Sequence, residues 1–373
     1  MICPLVMRRG WLLIIAFVFL ARSPAWAQTE PFPTNPLVLD RFGAYLDALR
    51  LQTAIPGLSA AIVDTKGILW ERAYGQQNIA QSIATRTDTP FHLDGLTQVA
   101  TASLLLRCAE EGRITLDDQL GQYDPKSAEP GATIRQVLSH TSGPPLSLVF
   151  AYNPGRLNAL APVFKACHGG SLRSDAARLL DYLAMVDSVP GADAIKFGPA
   201  PNGSPATAGT SPMFDQAHID RYTAVLARLA TPYIVDQQGQ ASVSQYTTKT
   251  LTPSAGVIST ADDFAQFTLA LISGGFLKSQ TLAMAWTPQP GTDGRPLPHA
   301  LGWFVQSYNG ETIVWQFGES DDGSSSMVVT IPGRGITLIL MGNSSGLVKP
   351  FPLADGDLTV SPFGLVFLRL FVR

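Results

Sequence analysis

Strand-forming runs lie near both ends of this chain, and helical patterns fill most of the sequence between them. Toward the N-terminus, residues 59–63 and 67–73 flank Asp64-Thr65-Lys66-Gly67, which reads as the turn of a hairpin. Toward the C-terminus, residues 312–317, 325–331 and 336–341 read as three further strands, and Gly333-Arg334-Gly335 supplies the turn between the last two. This distribution predicts one antiparallel sheet built from N- and C-terminal segments, flanked by helices, with a mostly helical insert. The fold class is therefore α/β, of the α+β type.

Residues 35–51 read as an amphipathic helix. Asn35 caps it, Pro36 suits its first turn, and Leu39, Phe42, Leu46 and Leu49 recur on one side. A second helix is expected from Asp94, taken as its N-cap, to about Glu111, with Gly112 closing it. Between 113 and 250, helical patches at 156–166 and 175–185 alternate with Gly/Pro/Ser-rich loops, notably 198–212. A helix over 259–273 takes Ser259 or Thr260 as its cap, with Asp262 and Asp263 in its first turn. Residues 361–372 form a closing helix. The organisation expected is a signal peptide over 1–27 and one domain over 28–373. Within that domain a sheet part, about 28–90 and 251–373, encloses a helical part, about 91–250.

The signal peptide rests on Arg8 and Arg9, an apolar run over 11–21 too short to span a membrane comfortably, and the small-x-small site Ala25-Trp26-Ala27. Cleavage after Ala27 starts the mature chain at Gln28 and directs it to the periplasm or to secretion. No membrane span is expected after cleavage; an uncleaved anchor is the competing reading. Residues 1–27 hold three arginines and no acid, so their removal takes the formal charge from −3 to −6. That balance disfavours nucleic acid as a partner, which needs a basic surface. Two cysteines remain, Cys108 and Cys167. An oxidising compartment permits a disulfide between them. The preferred reading is two buried apolar thiols, since Cys108 follows Leu104-Leu105-Leu106 in mid-helix and sequence supplies no distance.

Four segments, in order, carry a resemblance. The stretch Phe91-His92-Leu93-Asp94-Gly95-Leu96-Thr97-Gln98 opens the helix that runs to Gly112, followed by Ile114-Thr115-Leu116-Asp117-Asp118. Next comes Ile134-Arg135-Gln136-Val137-Leu138-Ser139-His140-Thr141-Ser142-Gly143. The third is Gly256-Val257-Ile258-Ser259-Thr260-Ala261-Asp262-Asp263. The fourth is Trp315-Gln316-Phe317-Gly318 with the strand Leu338-Ile339-Leu340-Met341-Gly342-Asn343-Ser344. Together they resemble the serine β-lactamase and penicillin-binding-protein (β-lactamase-related) family over roughly residues 35–345, faintly in the middle third. The resemblance implies a β-lactamase/transpeptidase-like fold and a serine hydrolase ancestry.

In that family a serine attacks a carbonyl, a lysine three residues on accepts its proton, a tyrosine relays it, and a C-terminal strand helps hold the acyl group and oxyanion. Carried onto this chain, the serine position is Gly95 and the lysine position Gln98. The Tyr-x-Asn element best matches Tyr152-Asn153-Pro154, and the strand motif falls at Gln316-Phe317-Gly318. Glycine has no side-chain nucleophile, and a glutamine amide is no base near neutral pH. None of the seven lysines has Ser or Thr three residues before it, so no shift of alignment restores the pair.

The expectation is a non-catalytic homologue of the cell envelope that retains a ligand-binding cleft. Gly95, Gln98 and Tyr152 are its candidate ligand contacts, and Gln316 and Gly318 its remaining vestigial positions. An active esterase, amidase or β-lactamase-like hydrolase with a rearranged site, acting through Tyr152 or a loop serine, is the alternative; a collapsed interaction domain is a third reading. The Gly95 amide is expected at a helix N-terminus, where it could meet a carbonyl or carboxylate. If Asp94 caps that helix, its charge disfavours acidic ligands. His140 is read as a structural residue of its loop. His218 and Asp220 are too sparse for a metal, and His92, His168 and His299 have no ligand-like spacing. No cofactor is implied; the partner expected is a small molecule or peptide in the cleft.

Overall fold

The computed structural model of the protein describes residues 35–143, 149–199 and 212–372. The expected signal peptide, and residues 200–211 of the Gly/Pro-rich loop, lie outside the described residues. In chain order the N-terminal part holds α1 (Pro36–Gln52), β1 (Gly57–Asp64), β2 (Gly67–Asn78), β3 (Ile83–Ala84), β4 (Phe91–His92) and α2 (Thr97–Glu110). The middle holds α3 (Ile134–Leu138), α4 (Val163–His168), α5 (Leu172–Tyr182), β5 (Val189–Pro190), α6 (Gln216–Ala227), β6 (Tyr233–Val235), β7 (Ala241–Val243) and β8 (Val257–Ser259). The last part holds α7 (Ala261–Ile272), α8 (Ser279–Ala285), β9 (Phe304–Tyr308), β10 (Glu311–Ser320), β11 (Ser324–Ile331), β12 (Ile336–Gly342) and α9 (Pro362–Phe371).

The main sheet has seven strands in the order β3-β2-β1-β12-β11-β10-β9. The N-terminal hairpin docks onto the last strand, with Ala60 opposite Leu340 in antiparallel register. This is the sheet closed from both chain ends that the strand runs predict. Side chains alternate between its faces. Leu58, Ala60, Ile62, Trp315, Leu338 and Leu340 pack under Phe42 and Leu46 of α1 and Phe363, Phe367 and Phe371 of α9. Ala61, Val63, Val314, Val328, Ile339 and Met341 face the other way, beneath α2 and α7. With both faces covered, β12 is buried throughout, which is why it reads as a continuous apolar run rather than an alternating one.

Local signals place several elements as expected. The Asn35 side chain accepts from the Leu37 N–H, and Pro36 opens α1. Thr260, not Ser259, caps α7 by accepting from the Asp263 N–H. Two expectations are overturned. Asp94 does not cap α2: it opens a separate 3-10 turn, Asp94–Leu96, and α2 begins at Thr97 with no side-chain cap. Cys108 and Cys167 are not free thiols but a disulfide, with Cα atoms 5.5 Å apart. The chain folds α4 back against α2, a proximity of residues 59 apart that no local pattern signals. The patch expected at 156–166 is a 3-10 segment, Pro154–Leu160, followed by α4.

Candidate functional site

The turn before α2 is positioned by sheet pairing on one side and close backbone contact on the other. Phe91 and His92 pair with β8, and Leu93 N–H donates to the Val257 carbonyl at 2.9 Å. Asp94 then takes a left-handed φ of 46°, which Asp tolerates better than most residues. Gly95 follows directly beneath β10. A Cβ on Gly95 would lie 2.6 Å from the Phe317 carbonyl oxygen, and one on Gly318 would run into the Leu93 carbonyl. Two glycines therefore let the turn and the strand approach more closely than any other pair of residues could. The Gly95 amide lies within this 3-10 turn rather than at the N-terminus of the α-helix.

Around Gly95 the matched positions converge. Gln98, Tyr152 and Gln316, from α2, the loop after α3, and β10, meet through their side chains. The Gln98 amide nitrogen donates to the Tyr152 hydroxyl at 3.0 Å, and that hydroxyl donates to Gln316 Oε1 at 3.3 Å. Gln98 Oε1 accepts from His140 Nε2 at 3.1 Å. The Asn153 N–H donates to His140 Nδ1, which leaves the ring proton on Nε2. At the other end, Gln316 Nε2 donates to His299 Nε2 at 3.3 Å and to the Gly302 carbonyl at 3.2 Å. His299 Nδ1–H donates to the Ala300 carbonyl at 2.8 Å.

Every bond in this chain runs in one direction, from the Asn153 N–H to the Ala300 carbonyl. Gln316 Oε1 also accepts the Phe317 N–H at 2.9 Å. Reversing the Gln98 amide would set donor against donor at His140, and reversing Gln316 would do so at Phe317. Burial keeps the titratable members uncharged. It drives His140 well below its ordinary value, with His299 adding to the effect. It lowers His299 to about 3 and raises the Tyr152 phenol. The positions where a working enzyme of this fold carries a cation and a proton shuttle thus hold a neutral, fully partnered network.

An open cleft of ≈ 460 Å³ borders the network, with Gly95, Tyr152, Phe317 and Glu319 in its wall beside Asp94. Asp94 is buried and accepts a hydrogen bond from Ser324 Oγ at 2.5 Å. Burial pushes its carboxyl up to about 7, opposed by the Ser324 bond and reinforced by Asp322 and Glu319. Ser254 also lines the cleft and donates to Asn158 Oδ1 at 2.9 Å. An amide oxygen accepts a bond but takes no proton from a hydroxyl near neutral pH.

Other sequence candidates fall elsewhere. His140 fixes its loop, as expected, and is also a member of the network. His218 is on α6, held between Asp215 at 2.7 Å and Asp181 at 3.0 Å, while Asp220 pairs with Gln216. Among the described residues no group of three His, Cys, Asp or Glu side chains could hold a metal. His299, Ser324 and the cleft-lining residues 348 and 351–354 are not signalled by any motif. His299 has no neighbour in sequence that marks it, and its link to Gln316 spans 17 residues.

A sheet closed from both ends, packed on a helix whose first turn and the 3-10 turn before it carry the matched Gln98 and Gly95, defines the β-lactamase/transpeptidase class. Residues 39–184 and 189–357 match the model of the Beta-lactamase family, and the chain belongs to that family. It is 26% identical over 138 residues to Protein flp of Staphylococcus aureus strain MRSA252, covering 35% of this chain and 28% of that protein. It is 33% identical over 103 residues to Penicillin-binding protein 4 of Amycolatopsis lactamdurans, covering 26% of this chain and 27% of that protein. The matched segment thus spans less than a third of these curated relatives. Among solved structures, the octameric penicillin-binding protein homologue from Pyrococcus abyssi matches with a TM-score of 0.67 at 16% identity, over 89% of this chain and 77% of that one. D-alanine carboxypeptidase AmpC from Burkholderia cenocepacia matches with a TM-score of 0.66 at 17% identity, over 88% and 99%. At these identities the structures show the fold alone.

Proposed function

We propose that this protein is a cell-envelope member of the β-lactamase family that holds a ligand beside Gly95 without cleaving it. The observation that carries the reading is the neutral network itself. Gly95 offers no nucleophile, and Gln98 spends both ends of its amide on His140 and Tyr152. In serine hydrolases, losing the nucleophile lowers kcat by about 10⁶, and losing the base as well adds little because the groups act as a unit. The envelope location rests on the signal peptide read in residues 1–27. No described helix is long and apolar enough to cross a membrane.

The alternative is a hydrolase with a rearranged site. Tyr152 is its best nucleophile, yet the phenol is held in its protonated form by burial. Ser254 reaches the cleft but faces an amide. Purified protein is expected neither to be acylated by labelled penicillin nor to turn over a chromogenic ester. Turnover that persists through purification and disappears in Tyr152→Phe would overturn the non-catalytic reading.

A further inference from the structure

The wall of the cleft carries one sign of charge. Asp94, Glu319 and Asp321 line it, and no lysine, arginine or histidine does among the described residues. Lys349 stands just outside, 3.5 Å from Asp321, in a pair that is largely solvent-exposed and therefore weak and screened. The carboxylates are not equivalent. Glu319 and Asp321 are exposed at the rim. Asp94 is only 3% exposed and sits next to Gly95. Its Oδ2 takes the Ser324 hydroxyl, while Oδ1 has no hydrogen-bond partner among the described residues. That oxygen is not sealed in the interior but opens onto the cleft, where no protein donor among the described residues meets it.

The rest of the lining is mostly apolar and aromatic, including Tyr152, Phe317, Val348 and Leu353, with the uncharged hydroxyls of Thr248, Ser254 and Ser320 among them. A carboxylate ligand would approach three like charges with no cation to receive it. An ammonium would supply the missing donor at Asp94 and meet attraction from the rim, while aromatic faces add further favourable contact for a cation. We propose that the cleft selects a ligand bearing a primary ammonium on an apolar body, with the ammonium nitrogen donating to Asp94 Oδ1. This rests on the reading of the cleft as a ligand site and adds the chemistry that the site recognises. A small amine or the amino end of a short peptide fits a volume of ≈ 460 Å³.

The test uses n-hexylammonium, 1-hexanol and hexanoate, titrated at pH 8 into the full mature chain and followed by NMR shifts of residues around Gly95. Hexylammonium is expected to bind about tenfold more tightly than hexanoate, with hexanol between them. Asp94→Asn keeps an acceptor for Ser324 and is expected to weaken hexylammonium about tenfold while leaving hexanol unchanged. Glu319→Gln, an exposed substitution that leaves the core intact, should weaken hexylammonium by a smaller factor, about twofold. Hexanoate binding as tightly as hexylammonium, or both variants retaining full amine affinity, overturns the proposal. Hexanol binding with no preference for the amine defeats only the amine assignment. If none of the three probes shifts the cleft residues, the ligand-site reading falls with it.

Discussion

The side-chain amide of Gln98 donates to the Tyr152 hydroxyl across 3.0 Å, joining two uncharged groups where this fold ordinarily sets a cation beside a phenol. Removing the hydroxyl in Tyr152→Phe leaves the Gln98 N–H without its acceptor and takes one of two donors from Gln316 Oε1. A buried group left unpaired in this way costs about 1–3 kcal/mol, and the half-buried position of Tyr152 places the loss toward the lower end. Urea denaturation of the variant checks this; a midpoint equal to that of the parent protein would show that the network contributes nothing.

Gly95→Ser tests whether the site is merely a serine short. Its Cβ would lie 2.6 Å from the Phe317 carbonyl, a backbone atom held in the β10–β11 ladder through Phe317 and Met327. Strand or turn must move, at a cost of about 1–3 kcal/mol typical of overpacking. The variant is expected to be less stable than the parent, and Gly95→Ser with Gln98→Lys to remain unlabelled by penicillin. Recovery of acylation in the double variant would mean that the backbone yields more easily than this contact implies.

Asp94 makes stability depend on pH with a defined sign. Its carboxyl titrates at about 7 in the fold, against about 3.9 in an unfolded chain. A raised folded-state value favours the fold where the group is protonated. The contribution is complete below the unfolded value, declines as pH rises from about 4 toward 7, and is lost above. Asn tolerates the left-handed backbone and still offers Ser324 an oxygen. Asp94→Asn should therefore gain on the parent between pH 4 and pH 8, by on the order of a few kcal/mol. Denaturant titrations at both pH values measure it; a constant difference would rule the burial argument out.

The Cys108–Cys167 bridge ties α2, which carries Gln98, to α4 across 59 residues of sequence. Constraining a loop of that length stabilises the fold by about 2–4 kcal/mol. The double substitution to Ala should lower the free energy of unfolding by that amount, with the fold retained in far-UV circular dichroism. A loss well under 1 kcal/mol would point to an unfolded chain that is already compact there.

Much of this was open to reading along the chain. The hairpin at Asp64–Gly67, the Asn35 cap and the terminal strands follow from turn chemistry and periodicity, which act within a few residues. The ordered motifs, through the family resemblance they carry, put Gly95, Gln98, Tyr152 and Gln316 in one region, and the side chains of the last three do meet. Asp94 was misread because its side chain suits a cap. The structure instead turns it toward Ser324, 230 positions away, and spends its φ on a 3-10 turn.

The sequence alone determined which atoms are absent: no serine at 95, no lysine at 98, and no lysine elsewhere spaced to replace them. It also marked strand runs near both ends, because turn chemistry and apolar patterning are local properties; their union in one sheet is made by the pairing of β1 with β12. Tertiary structure decided what those substitutions became. Whether Gln98 hangs free or closes a bond between His140 and Tyr152 depends on helix, loop and strand meeting in space. Whether a carboxyl titrates near 4 or near 7 depends on the water removed around it, and residues distant in sequence do the removing. Only the packing of β10 onto the turn shows that Gly95 is more than a lost nucleophile, for the strand occupies the space a side chain would need.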